Sequence, residues 1–270
     1  MPAAPPATPI VALLTDFGVG DWYVGAMKGE ILRRAPHAHL VDVTHGLPPH
    51  QVLPGAFVLH CAAGSFPAGT IFCCVVDPGV GTERRALCGR VGPWLFSGPD
   101  NGLLSGLLEG LAPDDLDLHR IENPEFRNER VSSTFHGRDL FAPAAARLAL
   151  GFDPAQAGPP VADPLRLPLF ELAEQADRLT GRVVLIDQFG NLVTNIRRRS
   201  HGAWFEPGRF VIHAGALRLD TLSTTFGEVR HVQALAYWGS AGTLEIAVNQ
   251  GSAAGLTGLR LGDAIDVERR

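Results

Sequence analysis

Three polar side chains stand where strand-like runs break off: Asp16 after Ile10–Thr15, His45 after His39–Thr44 and Asp77 after Thr70–Val76. In open α/β sheets, ligands bind just beyond the carboxyl ends of parallel strands. Polar groups gathered at that one edge outline a candidate site, although each alone also suits a turn or cap. Asp77 opens the segment Asp77-Pro78-Gly79-Val80-Gly81-Thr82-Glu83-Arg84-Arg85. Its glycines let the backbone come close to a ligand, but the G-x-x-x-x-G-K-[ST] spacing of a phosphate-binding loop is absent. A further polar stretch, Ser132 to Asp139, contains His136 and precedes an Ala-rich segment. A carboxylate, an arginine and a histidine drawn from separate segments are groups able to orient a water molecule. A capping or surface histidine is the plainer alternative at 136.

The elements that must position these groups follow from apolar periodicity. Ile10–Thr15 is continuously apolar, as a parallel strand buried on both faces should be. Asp21 is placed to cap a helix in which Val24, Met27, Lys28 and Ile31 fall at helical spacing, and Pro36 ends it. A second strand spans His39–Thr44, a helix with Pro54 in its first turn spans Val52–Ser65, and a third strand spans Thr70–Val76. This β-α-β-α-β order predicts an α/β domain with a mainly parallel central sheet. Gly137–Leu150 is a later helix.

Gly151 to Leu169 holds five prolines in nineteen residues, a linker composition. Beyond it, short strands at Gly181–Ile186, Phe210–His213, Thr243–Val248 and Ala264–Glu268 are punctuated by glycine, predicting a smaller antiparallel β-barrel-like domain. The expected organisation is a disordered tail over 1–9, an α/β domain over 10–160, a linker over 161–179 and the barrel-like domain over 180–270. In the second domain, Asp187-Gln188-Phe189-Gly190-Asn191 reads as a hairpin turn. It reads equally as a binding loop in which Phe189 offers a stacking face and Asn191 an amide for a nucleobase edge.

Composition narrows the class. Hydrophobic residues make up 46% of the 270-residue chain and charged residues 19%, enough to bury cores and against disorder. A net charge of -5 gives no footprint for nucleic acid or an anionic membrane surface. No apolar run approaches the ~18 residues of a membrane helix. The four cysteines, at 61, 73, 74 and 88, lack C-x-x-C spacing and read as reduced thiols of a cytoplasmic protein. The candidate residues form no compact ligand set on one element, so neither metal nor cofactor is expected.

The segments LLTDFG (13–18), DWYVGAMKG (21–29), VVDPGVGTERR (75–85), GPDNG (98–102), STFHGRDLFAP (133–143), DQFGNLVTNI (187–196) and GSAGTLEIAVNQGSAA (239–254) run in order along almost the whole chain. Together they resemble the S-adenosylmethionine hydroxide adenosyltransferases, relatives of the bacterial fluorinases and chlorinases. The resemblance implies an α/β N-terminal domain, a β-barrel-like C-terminal domain, and a homotrimer. It places the sites between one chain's N-terminal domain and a neighbour's C-terminal domain. It implies a water-handling trio at Asp77, Arg84 and His136 and a ribose-binding carboxylate at Asp16. Methionine and adenine contacts are implied at Asp187, Phe189, Asn191, Ser240, Glu245 and Val248. The implied reaction is hydrolysis of S-adenosyl-L-methionine, a substrate and not a cofactor, to adenosine and L-methionine.

Two other functions compete. The halogenating relatives carry Tyr, Thr and Tyr-Ser where this chain has Asp77, Val80 and His136-Gly137, and tryptophans at the places of His50 and Val193. A carboxylate ~4 Å from a halide at an effective dielectric of ~20 costs roughly 4 kcal/mol, which disfavours halide transfer here. A catalytically idle binder of S-adenosylmethionine or adenosine would return its ligand intact, and a plain structural or interaction protein would not retain it at all.

Overall fold

The computed structural model describes residues 8–270, so all but Thr8 and Pro9 of the expected 1–9 tail lies outside the described residues. The chain forms two compact units, one running to Leu167 and one from Pro168 to Arg270.

The first unit begins β1 (Ile10–Thr15), α1 (Tyr23–Arg34), β2 (His39–Thr44), α2 (Val52–Ala63) and β3 (Ile71–Val75). It continues with β4 (Ala86–Val91), β5 (Trp94–Pro99), α3 (Ser105–Leu108), β6 (Leu116–Arg120) and α4 (Ala142–Ala149). The sheet order is β2-β1-β3-β5-β4-β6. β1 pairs in parallel with β2 and β3, and β3 with β5, while β4 is antiparallel to β5 and β6. The sheet is thus mixed and mostly parallel.

The apolar runs of β1 and β3 feed two cores, which is why those strands carry no polar alternation. Val11 and Leu13 of β1 with Ile71, Cys73 and Val75 of β3 pack on Met27 and Ile31 of α1 and on the alanines of α4. Ala12 and Leu14 with Phe72, Cys74 and Val76 pack on Leu59 and Ala63 of α2. The crossover helices therefore cover opposite faces, and the winding reverses between β1 and β3.

The helix ends depart from expectation. α1 begins one residue after Trp22, which makes no side-chain cap, so Asp21 is not its N-cap. The predicted single helix over Gly137–Leu150 opens with a π-helical turn, Gly137–Phe141, before α4.

The proline-rich stretch is structured through Leu167. Arg120 N–H donates to Pro159 O, Glu122 N–H to Ala157 O, and Val161 N–H to Leu118 O. Proline lacks a donor, but its carbonyls and its non-proline neighbours complete the outer edge of β6, so this stretch is a strap on the first unit.

The second unit contains β7 (Ala173–Glu174), β8 (Arg178–Ile186), β9 (Leu192–Arg197), β10 (Phe210–Ala214), β11 (Leu217–Leu219), β12 (Ala234–Trp238), β13 (Thr243–Val248) and β14 (Ala264–Arg269). They form an antiparallel, barrel-like sheet in the order β11-β10-β14-β8-β9-β13-β12, with β7 on β8. Leu179, Val183, Leu192, Ile196, Phe210, Ile212, Ile246, Val248, Ile265 and Val267 supply its core.

Candidate active site

Thr15 and Val75 are partners in the β1–β3 register, so Asp16 and the Val76–Asp77 pair leave the sheet side by side at the point where the winding reverses. That crevice is where an open α/β sheet takes its ligand. Asp16 Oδ2 accepts the His50 N–H at 2.8 Å. His50 holds a left-handed conformation, φ 65°, to deliver it, a backbone state that persists near functional sites when neighbouring structure fixes it. Asp16 Oδ1 has no protein partner among the described residues.

His45 does not join them. It is buried, and its Nδ1 lies 2.8 Å from Thr15 Oγ1. Its Nε2 lies 3.1 Å from Asp42 Oδ1. The end of β2 thus supplies a strut between β1 and β2.

The loop after β3 returns Arg84 onto Asp77. Arg84 Nε lies 2.9 and 3.0 Å from Asp77 Oδ1 and Oδ2, and Nη2 also donates to Oδ2. The same Nη2 lies 2.6 Å from His136 Nδ1. Gly81 makes this approach feasible. Its φ is 79°, and a Cβ there would stand 2.4 Å from Ser133 O, so only glycine lets the 77–84 loop lie against the segment carrying His136. The side chains of Arg84 and Asp77 are 10% and 4% exposed, and the guanidinium sits 5.1 Å from the Phe141 ring centroid.

Guanidinium nitrogens only donate. His136 Nδ1 must therefore accept, which puts the ring's hydrogen on Nε2. Burial, and then the Arg84 charge, hold the His136 pKa below its ordinary value and keep the ring neutral. The trio thus offers an anionic acceptor at Asp77, fixed positive charge at Arg84 and an Nε2–H donor at His136, the parts of a cradle for water or hydroxide.

Asp139, 1% exposed, braces the His136 segment. It accepts from Ser132 N at 2.9 Å, Asn128 Nδ2 at 3.1 Å and Arg138 Nε at 2.7 Å. Burial raises its pKa, but the Arg138, Ser132 and Asn128 hydrogen bonds outweigh burial and bring it down to about 2.

An aromatic wall that the sequence reading passed over stands nearby. Phe17, Trp22, Tyr23 and Phe135, with Ser132, Thr134 and Arg138, line an open cavity of about 400 Å³. Phe135 meets Phe17, Trp22 and Tyr23 edge-on at 6.0, 5.5 and 5.2 Å. Trp22 and Tyr23 were readable within the DWYVGAMKG run, but as helix-start residues, and nothing in their spacing announced a shared surface.

In the second unit, Asp187 Oδ1 accepts the N–H groups of Phe189 and Asn191, both at 2.9 Å, and Oδ2 accepts Asn191 Nδ2 at 2.8 Å. The 187–191 loop is thereby a closed turn that leaves Phe189 68% exposed. The tail segment is tied to it through the Ala254 N–H, which donates to Gly190 O at 2.9 Å. Glu245 accepts from the Tyr237 hydroxyl. Burial and the neighbouring Asp187 charge raise its pKa against that bond. Ser240 is exposed in the β12–β13 hairpin. The Val248 side chain is 4% exposed and belongs to the barrel core, since alternate residues of β13 face inward.

Comparison with known proteins bears on both units. The family model described as SAM hydroxide adenosyltransferase N-terminal domain matches residues 11–158, and the corresponding C-terminal domain matches 181–266. The chain is similar to the (R)-S-adenosyl-L-methionine hydrolase of Thermus thermophilus, at 41% identity over 93% of this chain and 96% of that protein. It is also similar to that of Salinispora tropica, at 40% identity over 96% and 98%. A fluorinase from Nocardia brasiliensis is 30% identical over 96% and 97%. Among solved structures, an uncharacterized conserved protein from Thermotoga maritima superposes with a TM-score of 0.87, at 34% identity over 96% of this chain and all of that one.

Proposed function

Because the chain belongs to the SAM hydroxide adenosyltransferase family, we propose that it hydrolyses S-adenosyl-L-methionine to adenosine and L-methionine by in-line attack of water or hydroxide on C5′ of the ribose. The observation that carries this reading is that Arg84 bonds both Asp77 and His136 at the sheet's winding reversal.

The electrophile is a sulfonium ion, and its leaving group is a neutral thioether that needs no proton. The protein's tasks are alignment, exclusion of bulk water and activation of the nucleophile. His136 Nδ1 is occupied by Arg84 and Nε2 carries the ring hydrogen, so His136 donates to the nucleophilic oxygen and does not act as its base. Arg84 favours the hydroxide form electrostatically. Of the three, only the Asp77 carboxylate retains lone pairs for the hydrogen of the attacking water, which makes it the acceptor. Attack on a sulfonium carbon with a neutral leaving group requires no metal and no cofactor.

Asp16, with Oδ1 unpartnered, pins the ribose hydroxyls. Asp187 braces its own turn and pairs with the methionine ammonium. Phe189 stacks on adenine, and the Asn191 amide, Ser240, Glu245 and the main chain at Val248 complete the contacts. We place the two sets of residues on neighbouring copies in a homotrimer, as the resemblance to the family implies. A cytoplasmic location agrees with the free thiols of Cys73, Cys74 and Cys88 and with the lack, among the described residues, of a helix long and apolar enough to cross a membrane.

Incubation with S-adenosyl-L-methionine in ¹⁸O-water, with and without chloride, tests the reaction. Adenosine carrying the heavy oxygen at the 5′ position is the expected product in both conditions. A chlorinated nucleoside, or substrate returned intact, overturns the reading. Offering the R and S sulfonium epimers separately reads the stereochemical preference named in the relatives.

A further inference from the structure

The GPDNG motif runs from the last two residues of β5 into the turn beyond it and supplies none of the groups assigned above to water or substrate. Its side chains reach instead for the two residues that flank the Asp77–Arg84 loop. Asn101 Nδ2 donates to the carbonyl of Val76, the residue before Asp77, at 2.7 Å. Asn101 Oδ1 accepts the Leu103 N–H at 3.2 Å, which closes its own turn. Asp100, its side chain 3% exposed, accepts from Nε of Arg85, the residue after Arg84, at 2.6 Å. Its own N–H donates to Arg85 O at 2.9 Å.

The strap encloses this grip. Asp100 Oδ1 accepts the Leu165 N–H at 2.8 Å. Arg85 Nη1 and Nη2 bond to Oδ1 and the carbonyl of Asp163, each at 2.7 Å. Leu167 lies over Gly102, where φ is 95° and a Cβ would stand 2.4 Å from Leu167 Cγ.

The loop between Val76 and Arg85 contains Gly79 and Gly81 and so has wide conformational freedom of its own. Its ends must be fixed if the carboxylate and guanidinium are to meet in one geometry. We propose that Asp100 and Asn101 are positioning residues that set the Asp77–Arg84 contact by holding Val76 and Arg85, with Asp163 and Leu165 of the strap as the outer brace. The kinetic part of its test rests on the hydrolysis reading; the spectroscopic part does not.

The informative variants are Asn101→Ser and Asp100→Asn. Serine can still accept the Leu103 N–H in a similar turn but is too short to reach Val76 O. Asparagine at 100 retains an acceptor for Leu165 while removing the charge that holds Arg85. Misplacing reacting groups by about 1 Å costs roughly 100-fold in rate, so each variant is expected to lower kcat by roughly 10- to 100-fold with KM within about twofold. In an Arg84→Ala background, Asn101→Ser should add less than about a twofold further loss, because the contact it positions is already gone.

The ¹⁵N resonance of His136 Nδ1 reads the Arg84 contact without turnover and is expected to shift in both variants. An unchanged His136 resonance together with wild-type kcat overturns the proposal. So does an equal fold-loss in the Arg84→Ala background. If Asn101→Ser fails to fold, Asp163→Asn on the exposed side of the strap replaces it, with a roughly twofold fall in kcat and a smaller resonance shift as the expected result and no change in either as the refutation. Absence of adenosine from the wild type refutes the hydrolysis reading alone, and the resonance still decides the positioning.

Discussion

The polar groups of the two units are held in different ways. In the first unit, Asp77 and Arg84 from the two ends of one loop and His136 from a distant segment are linked through the Arg84 guanidinium, which fixes the direction of all three side chains and the tautomer of His136. In the second, Asp187 is held by N–H groups of its own five-residue loop and Glu245 by a phenol on the neighbouring strand. Interlocked charges of the first kind suit a reaction, where charge develops at one point and must be met there. A self-closed loop that presents an exposed ring suits recognition, where shape and one charge suffice. Removing a group from the first kind should damage turnover, and removing one from the second should damage binding.

The largest separation is expected between Asp77→Ala and Asp187→Asn. Loss of Asp77 removes the acceptor of the attacking water and frees Arg84, and kcat should fall by roughly 100- to 1000-fold with little change in KM. Asp187→Asn keeps the loop acceptor but removes the charge facing an ammonium, and KM should rise about tenfold, equivalent to about 1.4 kcal/mol, with kcat nearly constant. Steady-state kinetics of the two proteins side by side check this, and exchanged signatures would erase the distinction.

A smaller effect concerns acid. The His136 pKa is lowered from 6.5, so the neutral ring that accepts from Arg84 persists down to a pH below that value. Protonation then places a hydrogen on Nδ1 against the guanidinium, and kcat/KM should fall on an acidic limb whose midpoint lies below 6.5 and which is absent in His136→Asn. The stability sign agrees. Because the folded pKa is depressed, the unfolded chain binds the proton first, and stability present above the unfolded pKa is lost as pH falls through the folded one.

The smallest catalytic effect is expected at Val248. Its side chain belongs to the barrel core, so Val248→Ala should cost about 2 kcal/mol of stability on thermal or denaturant unfolding and leave kcat unchanged.

β1 and β3, with the polar residues that follow them, were readable because a strand buried on both faces writes itself as an uninterrupted apolar run. β4, β5 and β6 were not, since Ala86–Val91 and Leu116–Arg120 carry Arg90, Asp117 and His119 among their apolar residues and no run stands out. β9 was hidden by Thr194 and Asn195, which are fully buried yet hydrogen-bonded, Asn195 to Arg182 N and Glu171 O. His45 misled because a strand-end position says nothing of which way the ring turns, and the hydroxyl of Thr15 drew it inward. The trio was nameable from resemblance, but the tautomer of His136 was not. It depends on a 2.6 Å approach that no spacing in the sequence encodes.

The strap bears on where this chain can be divided. The matching N-terminal family model stops at residue 158, which invites an excised domain or a chimera joined at that point. Such a fragment would keep every strand of the first sheet and all three water-handling side chains. It would nevertheless strip Asp163 from Arg85, the Leu165 N–H from Asp100 and the Leu167 cover from Gly102. The autonomous module therefore extends through Leu167, and a domain-exchange junction belongs after that residue.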